Sequence, residues 1–67
     1  MSKTILKDKN GAEILEEGKV FYTDEENKVT NEEGYTRWNA ISSVWEVIRK
    51  DIQTGTQVGK IVNLTKI

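Results

Sequence analysis

The chain contains no cysteine, histidine or proline, and its longest apolar run is the three residues Val20, Phe21 and Tyr22. Each absence removes a class of chemistry. Without imidazole or thiol there is no histidine base, no thiolate nucleophile and no zinc site of the usual nitrogen and sulfur ligands. No disulfide can staple the fold. A three-residue apolar run falls far short of the roughly 20 residues that span a bilayer. No apolar h-region follows Met1-Ser2-Lys3, so no signal peptide is visible, and the absence of cysteine fits a reducing compartment. The expected location is cytoplasmic, away from membranes.

What remains is 67 residues, 36% hydrophobic and 31% charged, enough for a single domain over 1–67 with one small core. The net charge of −1 is unevenly spread: residues 13–33 hold eight acids against Lys19 and Lys28, while both flanks carry a basic excess. An acidic middle is either an ordinary solvated surface or a face for a basic partner.

The segment Thr4-Ile5-Leu6-Lys7, the turn Asp8-Lys9-Asn10-Gly11 and Ala12-Glu13-Ile14 read as a hairpin, since Asn-Gly tolerates positive φ. Lys19 to Thr23 is dense in strand formers. Thr23-Asp24-Glu25-Glu26-Asn27 and Thr30-Asn31-Glu32-Glu33-Gly34 repeat one pattern and predict consecutive turns around a short strand, Lys28-Val29-Thr30, each closing on a left-handed Asn or Gly. In 37–51 two readings compete. Trp38, Ile41, Val44, Trp45, Ile48 and Ile52 are spaced for an amphipathic helix, whereas Ser43 to Arg49 is β-branched and aromatic, and Asn39, Ser42 and Ser43 are poor helix formers. Strand is the favoured reading. A turn at Thr54-Gly55-Thr56 and a last strand over Val58 to Leu64 complete a closing hairpin.

The expected fold is therefore mainly β, a small SH3-like or related barrel or meander of five to six strands, with one helix in 37–51 as the α+β alternative. Its core candidates are Val20, Tyr22, Val44, Trp45, Val47, Ile48, Ile61 and Val62.

Glu16-Glu17, Glu25-Glu26 and Glu32-Glu33 offer paired carboxylates, but on strands such neighbours diverge and on turns they point to water. A calcium or magnesium role for Asp24, Glu26, Asn31 or Glu33 lacks the spacing of a helix-loop-helix calcium site. Ser42 and Ser43 have no histidine base and lie in no Gly-x-Ser-x-Gly or Ser-x-x-Lys motif. The five glycines are dispersed, with no phosphate cradle. The expectation is no enzyme, no cofactor and no metal.

Leu6-Lys7-Asp8-Lys9-Asn10-Gly11-Ala12-Glu13-Ile14, followed by Glu17-Gly18-Lys19-Val20, resembles the L-K-D-K-N-G-x-E-I-x-E-G-D-x-V opening of small phage and prophage proteins of the YopX type. One extra residue at Leu15-Glu16 and Lys19 in place of an acid are the departures. The resemblance implies a phage or prophage origin and a strand-turn opening to a small β-rich, barrel-like domain. It implies no catalytic residues.

The leading functional expectation is binding of a host or phage protein through an acidic turn surface, Asp24, Glu25, Glu26, Glu32 and Glu33. A second is nucleic-acid binding through Arg37, Trp38, Arg49, Lys50 and Lys60, where Arg37-Trp38 sets a cation beside an aromatic. A third is a structural homo-oligomeric phage component.

Overall fold

Gly11 takes the left-handed conformation (φ +87°), and Asp8 completes the turn by accepting the N–H groups of Asn10 and Ala12 on Oδ1, each at 2.8 Å. In the computed structural model, which describes residues 3–49 and 55–67, this turn joins β1 (Leu6–Lys7) to β2 (Glu13–Ile14). β3 (Lys19–Asp24), β4 (Val29–Asn39), β5 (Val44–Arg49) and β6 (Gly55–Gln57) then form an antiparallel meander. A 3₁₀ turn at Val58–Lys60 leads to β7 (Val62–Lys66), which returns to pair with β3 in the order β6-β5-β4-β3-β7.

The mainly β meander read from the sequence is the fold found. The barrel, however, is not closed by a ladder, because β6 and β7 are the two edges of the sheet and do not pair. Turns shield those edges instead. Along β7 the Lys66 N–H donates to Asp8 Oδ2 at 3.0 Å and the Leu64 carbonyl accepts the Lys9 N–H at 2.9 Å. At β6 the Asn27 Nδ2 reaches Thr56 Oγ1 at 3.5 Å.

Alternation along the strands sends Val20, Tyr22, Trp45 and Val47 to one face, where they are buried with Val29, Leu64 and the hairpin residues Leu6 and Ile14. Thr36 organises this face. Its Oγ1 donates to the Leu15 carbonyl at 2.7 Å and accepts the Gly18 N–H at 3.2 Å, and its backbone N–H donates to the Gly18 carbonyl at 3.0 Å. The Leu15–Gly18 turn is thereby fastened to β4. Gly34 is needed for closeness: a Cβ there would stand 2.8 Å from the Ile48 carbonyl oxygen and 2.9 Å from both the Tyr22 ring and Val47.

Several expectations are corrected. Thr30 to Gly34 is not a second turn but part of β4, and the left-handed Asn31 (φ +47°) sits in a β-bulge. Tyr22 faces Glu32 and Asp24 faces Val29, so Thr30 and Asn31 together oppose Thr23, whose Oγ1 accepts the Asn31 N–H at 3.0 Å. In the first turn the left-handed residue is Lys28 (φ +58°), since Asn27 is engaged by the Asp24 carboxylate through both its N–H and its side-chain amide.

The described part of 37–51 contains no helix. Asn39 Oδ1 accepts the N–H groups of Ile41 and Ser42, each at 3.0 Å, and this turn separates β4 from β5. Gly55–Gln57 is strand rather than turn, Thr54 lying outside the described residues, and the last strand starts at Val62 and pairs with β3. Of the core candidates, Val44 and Ile61 are half-buried and Val62 is exposed, its inward place being taken by Leu64 after a register shift. No helix among the described residues is long and apolar enough to cross a membrane.

Candidate protein-binding surface

Ile5-Leu6 and Ile14-Leu15 are adjacent apolar pairs on a two-stranded hairpin. Adjacent residues in extended chain point to opposite sides, so each pair can bury only one member. Leu6 and Ile14 go into the core, and Ile5 (71% exposed) and Leu15 (69%) go to water. Beside them Trp45 lies on the core, its Nε1 donating to the Thr4 carbonyl at 2.9 Å, with the Trp38 ring edge-on at 5.7 Å.

This arrangement leaves two shallow grooves that share Thr4, Ile5, Leu6 and Trp45. One, of about 350 Å³, continues along Ser43, Val44 and the 3₁₀ residues Val58 and Gly59. The other, of about 200 Å³, runs beside Glu13, Leu15, Glu16 and Lys3. At the rim Lys3 Nζ bonds Glu16 Oε1 at 2.6 Å and stands 5.8 Å from the centre of the Trp45 ring. The Lys3 ammonium holds the Glu16 carboxyl below the usual range, helped by the Trp38 N–H and opposed by partial desolvation. On the Asn39-capped turn that leads into Ser43, Ile41 projects with 98% of its surface exposed. Ile41, Ile5 and Leu15 are the most exposed large apolar residues among those described, and all stand at the same end of β4 and β5.

The five acids expected to form one surface are separated. Asp24 is buried. Burial raises its pKa, but the Asn27 side-chain amide, the Thr56 hydroxyl and the N–H groups of Asn27 and Glu26 outweigh this and leave it lowered. It is a structural anion rather than a contact residue. Glu25 and Glu26 are exposed on the β3–β4 turn, at the opposite end of β4 from Ile41. Glu32 and Glu33 lie on opposite faces of β4. Glu32 pairs with Arg49 at 3.6 Å, and Glu33 lines an outer-face groove of about 340 Å³ with Glu17, Lys19, Gly34 and Tyr35.

The alternative set is divided in the same way. Arg37 is on the outer face against Glu46 at 3.2 Å, Trp38 points inward to Trp45, and Arg49 faces Glu32. Lys60 lines a polar groove with Glu26 and Glu46. Lys50 lies outside the described residues. The sequence signal Arg37-Trp38 is therefore split by strand alternation. Among the described residues no group of three potential carboxylate ligands is placed to hold a metal.

The grooved end went unnoticed as a site because Ile5, Leu15 and Ile41 are single apolar residues in polar surroundings. The doublets Ile5-Leu6 and Ile14-Leu15 carried the signal. No known protein family matches the chain, and no curated protein or solved structure is similar to it.

Proposed function

We propose that this chain is a non-enzymatic binding module that docks a host or phage protein at the Trp45 end. One observation supports the reading: of the three most exposed large apolar side chains, Ile5 and Leu15 line two grooves that share an indole as a wall, and Ile41 stands on the turn two residues before Ser43 of the larger groove. A polar-rimmed apolar patch is the usual mark of a protein interface, and a tryptophan held by its own N–H is a rigid anchor. The partner presents an apolar side chain beside basic residues. Lys3 and Glu16 offset each other at the rim, which leaves Glu13 as the groove's acid without a salt bridge among the described residues. Glu25 and Glu26, at the far end, act through long-range attraction and raise the on-rate more than the affinity. The phage or prophage origin implied by residues 6–20 is consistent with a small protein whose work is occlusion of a target.

Selection of a displayed peptide library on the immobilised protein tests this. Enriched peptides should carry an apolar or aromatic anchor next to Lys or Arg. Leu15→Glu should weaken them by about tenfold or more, whereas Glu25→Lys with Glu26→Lys should change affinity by no more than about threefold at physiological salt. No enrichment over a blank surface, or loss confined to the acid-reversed variant, overturns the proposal.

A further inference from the structure

The outer face of the sheet carries a second apolar feature, remote from the grooved end. Phe21 (39% exposed), Val62 (46% exposed) and the half-buried Tyr35 point outward from β3, β7 and β4. The pairing registers place them. Thr23 faces Val62, Phe21 faces Glu33, and Lys19 faces Tyr35. Val62, Phe21 and Tyr35 thus lie on one diagonal across three strands, with Lys19 on one side of it and Glu33 on the other. Among the described residues neither Lys19 nor Glu33 forms an ion pair.

From this layout we infer that the outer face of β7, β3 and β4 is the interface of a symmetric dimer of this chain. A two-fold axis laid along the diagonal, in the plane between two facing sheets, sets Val62, Phe21 and Tyr35 each against its own copy. The same operation carries Lys19 onto Glu33 of the second molecule and Thr23 onto Thr65. The face is its own complement in both shape and charge, which is what an isologous interface demands. A partner with charge of one sign would meet repulsion on one side of the diagonal. With residues two apart on a strand separated by roughly 6.7 Å and strands by about 4.8 Å, the strands of the two copies cross at roughly 70°, close to orthogonal sheet packing. Glu17, at the rim of the same groove, stays outside the apolar diagonal. A face of this size is small beside standard interfaces, so the dimer dissociates at a Kd on the order of 10–100 µM.

This interface is independent of the Trp45 end, and the two can fail separately. Sedimentation velocity of the full chain from about 10 µM to about 1 mM should show a monomer–dimer equilibrium. Phe21→Glu should abolish it. Lys19→Glu should raise Kd more than about tenfold, and the exchange Lys19→Glu with Glu33→Lys should restore it to within about threefold. Leu15→Glu should leave it unchanged. Urea midpoints of the same variants report whether the monomer fold is kept, which their exposed positions predict. A monomer at every concentration, failure of the charge exchange to rescue, or dissociation by Leu15→Glu but not Phe21→Glu overturns the inference.

Discussion

Val20 and Phe21 are neighbours on β3, yet Val20 is fully buried and Phe21 is 39% exposed. The two faces of this sheet differ most across β3 and β4, for on β5 the outer-face Ile48, level with Tyr35, is fully buried as well. The inner face gathers Val20, Tyr22, Thr36, Trp45 and Val47 under the β1–β2 hairpin, with Gly34 admitting close approach of its neighbours. The outer face alternates Lys19, Phe21, Glu33 and Tyr35, and among these no large apolar side chain is fully covered. The inner face supplies most of the burial that holds a small domain together, and the β7, β3 and β4 part of the outer face is left for association. A chain of this size has no second core to spare, so a residue's place in the two-residue period decides whether it bears on stability or on recognition.

The sharpest way to break that comparison is to truncate neighbours. Tyr22→Ala should cost about 3–5 kcal/mol and leave the domain largely unfolded, as expected for a buried aromatic in a marginally stable fold. Phe21→Ala, one residue away, should cost less than about 1 kcal/mol. Urea denaturation followed by tryptophan fluorescence measures both, and equal losses would show that the faces are not distinct.

Next in size is Thr36→Val. The substitution keeps shape but deprives the Leu15 carbonyl of its hydroxyl donor and the Gly18 N–H of its side-chain acceptor, leaving only the 3.0 Å backbone bond between those two groups. The cost should be about 1–3 kcal/mol, with faster hydrogen exchange at Gly18 and Glu17, whose N–H donates to the Thr36 carbonyl. Unchanged exchange there would mean that the Leu15–Gly18 turn is held by other contacts.

The smallest effect is pH dependence. The Lys66 N–H, followed by those of Ala12, Asn10 and Gly11, outweighs partial burial and lowers the Asp8 pKa, and Asp24 is lowered by the amide and hydroxyl around it. Both carboxyls titrate lower in the folded chain than in the unfolded one. Their contribution is therefore complete above the ordinary carboxyl value near ~4 and is lost as pH falls through the folded values. The melting temperature should be flat from about pH 7 to about pH 5 and drop below about pH 4. Asp8→Asn with Asp24→Asn should start from a lower plateau and show a shallower acid limb. An identical limb would assign acid sensitivity to other groups.

Much of this was legible in the residues. Asn10-Gly11 marked its turn because few residues accept positive φ, and Lys19 to Thr23 marked its strand because β-branched and aromatic side chains suit a pleated surface. Asn31 read as the opening of a turn that Gly34 would close, and its left-handed place in a bulge was not legible, since turn and bulge draw on the same residue types. The apolar spacing from Trp38 to Ile48 admitted a helix until the Asn39 side chain capped the turn that separates the strands. Asp24 looked like one of a row of surface acids because no local pattern says that Thr56, far along the chain, will close over it.

Composition and alternation determined that this protein is a small β domain without histidine or thiol chemistry, because those properties belong to single residues and their immediate neighbours. Only the tertiary structure decided which edge β7 joins, that Lys9 and Lys66 meet the Leu64 carbonyl and Asp8, and that Val62, Phe21 and Tyr35 share a diagonal between Lys19 and Glu33. Those relations depend on strand register, and register is set by pairings between segments distant in the chain, which no local pattern encodes.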